Sequence, residues 1–174
     1  TGSKLTQLGD EDKAIDEDHK SGGYRDWKQV LCNALVPAIL SLIAASMTGR
    51  MDLPMRSLDS PVVCALYAAF LGYFACCCGD TWASELGQLS PEEPRLITTL
   101  RPVRKGTNGA VTFVGLGASF GGGLFMGILF YIAGLFSPSS TTVFHASASS
   151  GMTPQWVQIF LGAFGGLFGS LVDS

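Results

Sequence analysis

The sequence predicts an all-α protein, a polytopic transmembrane helix bundle of about four spans whose helices pack through glycine. Three observations predict it. Charged side chains make up 14% of the chain, against about 25% in an average soluble domain. They are confined to residues 1–28, 50–59 and 80–105, with Asp173 alone beyond, so that Gly106 to Val172 carries no Asp, Glu, Lys or Arg. A globule in water cannot cover its surface that way. The uncharged stretches between these clusters approach the roughly 20 residues needed to cross a bilayer.

Residues 1–28 read as a polar, cytosol-facing segment and 29–174 as the transmembrane domain. The first span covers 29–47. Its Pro37 is tolerable in a membrane helix when a neighbour satisfies the carbonyl it frees. The second covers 61–79, with Pro61 at a first-turn position where no N–H partner is needed. The third, 110–136, is long enough to tilt or break, and Gly121-Gly122-Gly123 is the place where it would break. The fourth is 156–172. Trp27, Trp82 and Trp156 sit at span edges as interfacial aromatics do. Gly117/Gly121, Gly123/Gly127, Gly162/Gly166 and Gly165/Gly169 fall four apart, which lets helix backbones approach closely; exposed backbone lining a substrate groove is the functional alternative. With no initiator Met and an apolar run close to its end, the chain reads as a fragment of a longer protein.

The amino-terminal segment carries five Lys and Arg and the loop 80–109 four, whereas loop 48–60 has two and loop 137–155 none. The positive-inside rule therefore puts 1–28, 80–109 and the Asp173 end on the cytosol-like face. The Ser/Thr-rich loop holding His145 lies opposite. The organelle stays open, an endomembrane or a plastid envelope both fitting. A net charge of −3 excludes nucleic acid as the natural partner. Five cysteines, three of them contiguous, show no zinc spacing and read as small apolar residues.

The unusual polar motifs all fall on that basic face. Gly22-Gly23-Tyr24-Arg25 leads into Gln29 and Asn33, which a helix stacks on one side. In Gly79-Asp80-Thr81-Trp82-Ala83-Ser84-Glu85-Leu86-Gly87 an acid follows directly on an uncharged span, expensive unless paired, hydrated or bound to a cation. On a continuing helix Asp80 and Ser84 share a face, with Thr81 and Glu85 on the adjacent one. Such hard oxygen ligands suit Mg²⁺, which usually arrives with a nucleotide's phosphates; a plain helix cap at Asp80 is the bland alternative. Arg104-Lys105-Gly106-Thr107-Asn108-Gly109 sets two cations before a glycine turn that opens an apolar helix, a phosphate cradle in outline. Gly169-Ser170-Leu171-Val172-Asp173-Ser174 echoes Gly79-Asp80-Thr81 at the end of another small-residue span.

The segments GGYRDWKQVLCN, GDTWASELG and PRLITTLRPVRKGTNGAVT, in that order, closely resemble the membrane family that contains transmembrane protein 19 and the plant phytyl-phosphate kinase; PRLITT is nearer the former. The resemblance implies phosphoryl transfer from CTP or another nucleoside triphosphate to an isoprenoid monophosphate at the membrane surface. It implies Asp80 and Glu85 on Mg²⁺, with Asp173 as a second metal ligand or base. Arg104, Lys105 and the Gly106, Thr107, Asn108, Gly109 backbone fall to phosphates, and Arg25 with Lys20 to either phosphate group. The competing expectation is a non-enzymatic membrane protein or transporter, since span-end polar groups and glycine-rich helices serve carriers too.

Overall fold

The computed structural model describes residues 27–49, 60–136 and 155–174. They form four helices and one small strand pair: α1 (Trp27–Thr48), α2 (Pro61–Leu89), β1 (Arg95–Leu96), β2 (Ala110–Val111), α3 (Phe113–Leu135) and α4 (Val157–Asp173). Two of the helices, α2 and α3, are long and apolar enough to cross a membrane, whereas the apolar part of α1 (Asn33–Thr48) and α4 are shorter. Large apolar side chains such as Leu42, Phe125 and Phe168 face outward. The buried positions belong mostly to Ala, Gly and Ser, with Leu71 and Ser119 the largest side chains fully enclosed.

Helix α2 corrects one expected boundary. It runs for 29 residues, about 43 Å at 1.5 Å per residue, against a hydrocarbon core of about 30 Å. Residues 80–89, expected as loop, are its last turns, and Asp80 lies inside the helix rather than capping one. The stop comes from proline: Ser90 precedes Pro91 and takes up extended backbone at ψ 134, because a residue before proline is pushed out of the helical region.

Helix α3 corrects two more. It begins at Phe113 and not at 110, because Ala110 and Val111 pair antiparallel with Leu96 and Arg95. Thr112 then caps it, its Oγ1 accepting from Gly115 N at 3.0 Å. Nor does Gly121-Gly122-Gly123 break it: α3 is continuous. The intrinsic helix cost of those glycines is offset by what they allow. A Cβ on Gly166 would stand 2.6 Å from the Gly123 Cα, and one on Gly162 would stand 2.6 Å from the Gly123 carbonyl oxygen. The Gly123/Gly127 and Gly162/Gly166 pairs are thus the seam between α3 and α4. Gly117, by contrast, faces open space.

Neighbours along these seams fix the helix directions. Gly87 lies by Gly115 and Phe70 by Phe130, so α2 and α3 are antiparallel. Gly72 lies by Gly165 and Gly79 by Gly166, so α2 and α4 are parallel. The C-terminal ends of α2 and α4 and the N-terminal end of α3 therefore meet at one end of the bundle. Helix α1 packs chiefly on α2. Its Pro37 leaves the Asn33 carbonyl, four residues back, without a helical donor, and the Tyr73 hydroxyl of α2 donates to that oxygen at 3.0 Å. Trp27 and Trp156 stand exposed at helix starts, whereas Trp82 lies within α2 and stacks on Phe125.

Candidate functional site

At the end of the bundle where α2, α3 and α4 meet, a basin of about 300 Å³ opens. The first turns of α3 line it together with three segments that were singled out by their sequence. From α2 come Asp80 and Ser84, one turn apart, with Gln88 a further turn on. From the connection between α2 and α3 come Lys105, Gly106, Thr107, Asn108 and Gly109. From the end of α4 come Ser170, Asp173 and Ser174.

The α2–α3 connection is a folded arch rather than an open loop. Leu96 N donates to Arg101 O at 3.0 Å, Val103 N to Pro94 O at 2.9 Å and Ile97 N to Gly109 O at 2.9 Å. The glycine turn is held by Thr107, whose backbone N and Oγ1 both donate to the Arg104 carbonyl. Gly106 and Gly109 have φ of +86° and +81°, a left-handed backbone that other residues rarely accept. Gly109 N donates to the Ser174 carbonyl, joining the turn to the end of α4.

Two carboxylates, Asp80 and Asp173, line the same basin as this turn. Asp173 lies near enough for its charge to act on Asp80, and Asp80 Oδ1 accepts from Ser170 Oγ at 3.3 Å. The carbonyl end of α2 adds negative potential there, and the capped start of α3 adds positive. Lys105 Nζ donates to Ser90 O at 2.7 Å and to Gln88 O at 3.4 Å. The ammonium thus lines the basin while satisfying carbonyls left over at the end of α2, as basic side chains do at helix C-termini.

Not every candidate arrives at the basin. Glu85 does not line it; five residues on from Asp80, it lies about 140° around the helix. Thr81 likewise turns its hydroxyl onto the Cys77 carbonyl at 2.8 Å. Arg104 stands exposed beside the basin, and its side chain makes no hydrogen bond or ion pair with a described residue. Asn33 belongs to an apolar groove between α1 and α2, with Pro37, Phe70 and Phe74. Lys20, Arg25 and His145 lie outside the described residues, as does the Gln29 side chain. Ser170, Thr112 and Ser119 line the basin without having been singled out as site residues. Of these, Ser170 alone had a signal, its place three residues before Asp173.

No cluster of three or more His, Cys, Asp or Glu able to hold a metal occurs among the described residues. A pair of carboxylates with serine oxygens beside them is the donor set that Mg²⁺ accepts when it keeps waters and shares a ligand's phosphates. Ser84 spends its proton on the Thr81 carbonyl at 3.0 Å, which leaves its oxygen able to accept.

The sequence matches the family model described as "Integral membrane protein DUF92" over residues 1–174. It is 47% identical to "Protein PGR" of Arabidopsis thaliana over 175 residues, covering all of this chain and 58% of that protein. An uncharacterized membrane protein of Synechocystis is 36% identical over 140 residues, 78% of this chain and 49% of its own length. One from Methanocaldococcus jannaschii is 35% identical over 111 residues, 62% of this chain and 39% of its own. The chain thus spans about half the length of these relatives. No solved structure matches it.

Proposed function

This chain belongs to the DUF92 family of integral membrane proteins, and from that premise and the basin's make-up we propose that it is a lipid-phosphate kinase. It transfers the terminal phosphoryl group of CTP or another nucleoside triphosphate to an isoprenoid monophosphate such as phytyl or another prenyl phosphate. The observation that carries the proposal is the convergence of three segments far apart in sequence. Two acids, Asp80 and Asp173, share one basin with the cation-flanked glycine turn Lys105–Gly109.

The reaction asks little covalent chemistry of the protein. An oxygen of the acceptor's phosphate, already anionic, bonds to the terminal phosphorus as the bond to the departing nucleoside diphosphate oxygen breaks. No strong base is needed, and catalysis rests on positioning and charge neutralisation. The backbone of Gly106–Gly109 and the Arg104 guanidinium, which has no partner among the described residues, suit the phosphates. Lys105 adds charge beside them without leaving the end of α2. Asp80 and Asp173 are the residues that would hold Mg²⁺, with Glu85 set apart on another face; bound there, Mg²⁺ would neutralise phosphate charge. The acceptor's apolar chain stays in the bilayer while its phosphate reaches the basin, because residues 80–89 carry α2 past the hydrocarbon core.

The second reading, a non-enzymatic membrane protein or transporter, draws on Lys105. A lysine occupied with Ser90 and Gln88 carbonyls is what a purely structural anchor would show. One assay separates the two: purified full-length protein in nanodiscs, radiolabelled CTP or ATP, and a panel of prenyl monophosphates. Nanodiscs enclose no compartment, so transport yields no signal. Prenyl diphosphate is the expected product, and its absence with every pair from folded protein would sink the kinase reading.

A further inference from the structure

Five helical serines and threonines among the described residues follow one habit, and Ser170 departs from it. Ser41, Ser46, Thr81, Ser84 and Ser119 each donate their hydroxyl to a carbonyl three or four residues back in their own helix. That local bond is the default for such residues inside helices. Ser170, within α4 and only 5% exposed, instead donates across to Asp80 Oδ1 on α2. The reach is short because small residues bring the two helices together one turn earlier. A Cβ on Gly79 would stand 2.8 Å from the Gly166 carbonyl oxygen and 2.9 Å from its Cα. The glycine seam and the hydroxyl therefore form one device, the first setting the spacing and the second spending it on the carboxylate.

We propose that Ser170 is a positioning residue for Asp80, fixing the rotamer in which this carboxylate faces Asp173 and the glycine turn. The inference rests on the kinase reading for what Asp80 does in turnover, but not for the contact itself. A carboxylate accepts through two oxygens. Occupying Oδ1 with a buried donor from α4 orients Oδ2 for a cation. It also blocks rotation that would carry the acid away from its partner. Outer hydrogen bonds of this kind are known to govern how well ligating side chains perform.

The test compares full-length parent protein with Ser170→Ala and Ser170→Thr, each checked for monodispersity and thermal midpoint in detergent. Two readouts are taken: Mn²⁺ binding by electron paramagnetic resonance without nucleotide, and the Mg²⁺ dependence of prenyl diphosphate formation. Loss of one oriented hydrogen bond is expected to weaken Mn²⁺ binding about three- to tenfold in Ser170→Ala. The Mg²⁺ half-saturation should rise by the same factor, with kcat at saturating Mg²⁺ and the nucleotide KM nearly unchanged. Ser170→Thr, which keeps the hydroxyl, should recover most of both. A merely structural serine would lower the thermal midpoint or kcat and leave cation affinity alone; that result, or a Ser170→Ala protein matching the parent, overturns the proposal. If the parent binds Mn²⁺ in a Ser170-dependent way but makes no diphosphate, the positioning role stands and the kinase reading falls. If the parent binds no Mn²⁺, both fall.

Discussion

At the residue scale the basin separates side chains that sequence alone had grouped. Arg104 and Lys105 are adjacent, yet Lys105 bonds the end of α2 while Arg104 has no described partner. In the kinase reading both neutralise phosphate, so Arg104→Gln and Lys105→Gln should each lower diphosphate formation on the order of 10²–10³-fold. Only Lys105→Gln should also lower the thermal midpoint, because it strips carbonyls at a helix end of their donor. Equal midpoints for the two variants would show that the lysine contact contributes nothing. For the acids, Asp80→Asn is expected to abolish turnover while the protein still inserts and stays monodisperse. The cap that an amide could replace at little cost is not its role, since Asp80 lies within α2. Asp173→Asn should raise the Mg²⁺ requirement more than Glu85→Gln does. The reverse order, read from Mg²⁺ titrations, would return Glu85 to the metal set.

At the element scale, helix contacts assign each glycine and the one internal proline a cost. Gly123→Ala drives a methyl into the Gly162 carbonyl and Gly166 backbone across the α3–α4 seam. It should destabilise by on the order of 1–3 kcal/mol, as overpacking does. Gly117→Ala, on the same helix but facing open space, should be neutral or gain up to about 1 kcal/mol from helix propensity. Thermal unfolding in one detergent checks both, and equal losses would mean that the seam is not where the glycines matter. Tyr73→Phe removes the only described donor to the carbonyl that Pro37 frees. Where the bilayer keeps water from that oxygen, leaving it unsatisfied should cost about 1–3 kcal/mol. In a Pro37→Ala background, where the helix supplies its own N–H, the cost should largely vanish; a double-mutant cycle reads the difference.

At the scale of the whole molecule, the acidic and basic motifs share one end of the bundle, and topology decides which compartment that end faces. Nine Lys and Arg fall on the segments assigned to one side against two on the other, so the basin should face the cytosol-like side. Single cysteines at Glu93, which is exposed on the arch, and at Ser147, in a Cys-free variant of the full-length protein, should label from opposite sides with an impermeant thiol reagent. Labelling from the same side would remove the four-span arrangement.

The membrane class, the four helices and the polar segments that line the basin were legible in the sequence because each is a local property. Hydropathy selects apolar stretches, the pairs Gly123/Gly127 and Gly162/Gly166 mark a seam though Gly117/Gly121 does not, and a carboxylate at the end of an apolar run is costly wherever the chain goes next. Helix ends were less legible. Whether residues 80–89 continue a helix or leave it turns on Pro91 and on what covers the last turn, and whether 110–112 are helix turns on a strand pair with Arg95 and Leu96. The tertiary structure alone decided which side chains share the basin. Asp80 and Asp173 are 93 positions apart in the sequence, and only the parallel packing of α2 and α4 brings them together. Glu85, five positions from Asp80, is turned away by helix geometry, and the same packing gives Ser170 a partner in place of its own helix. A sequence states which groups a chain owns; which of them meet is settled by where glycine lets backbones come close.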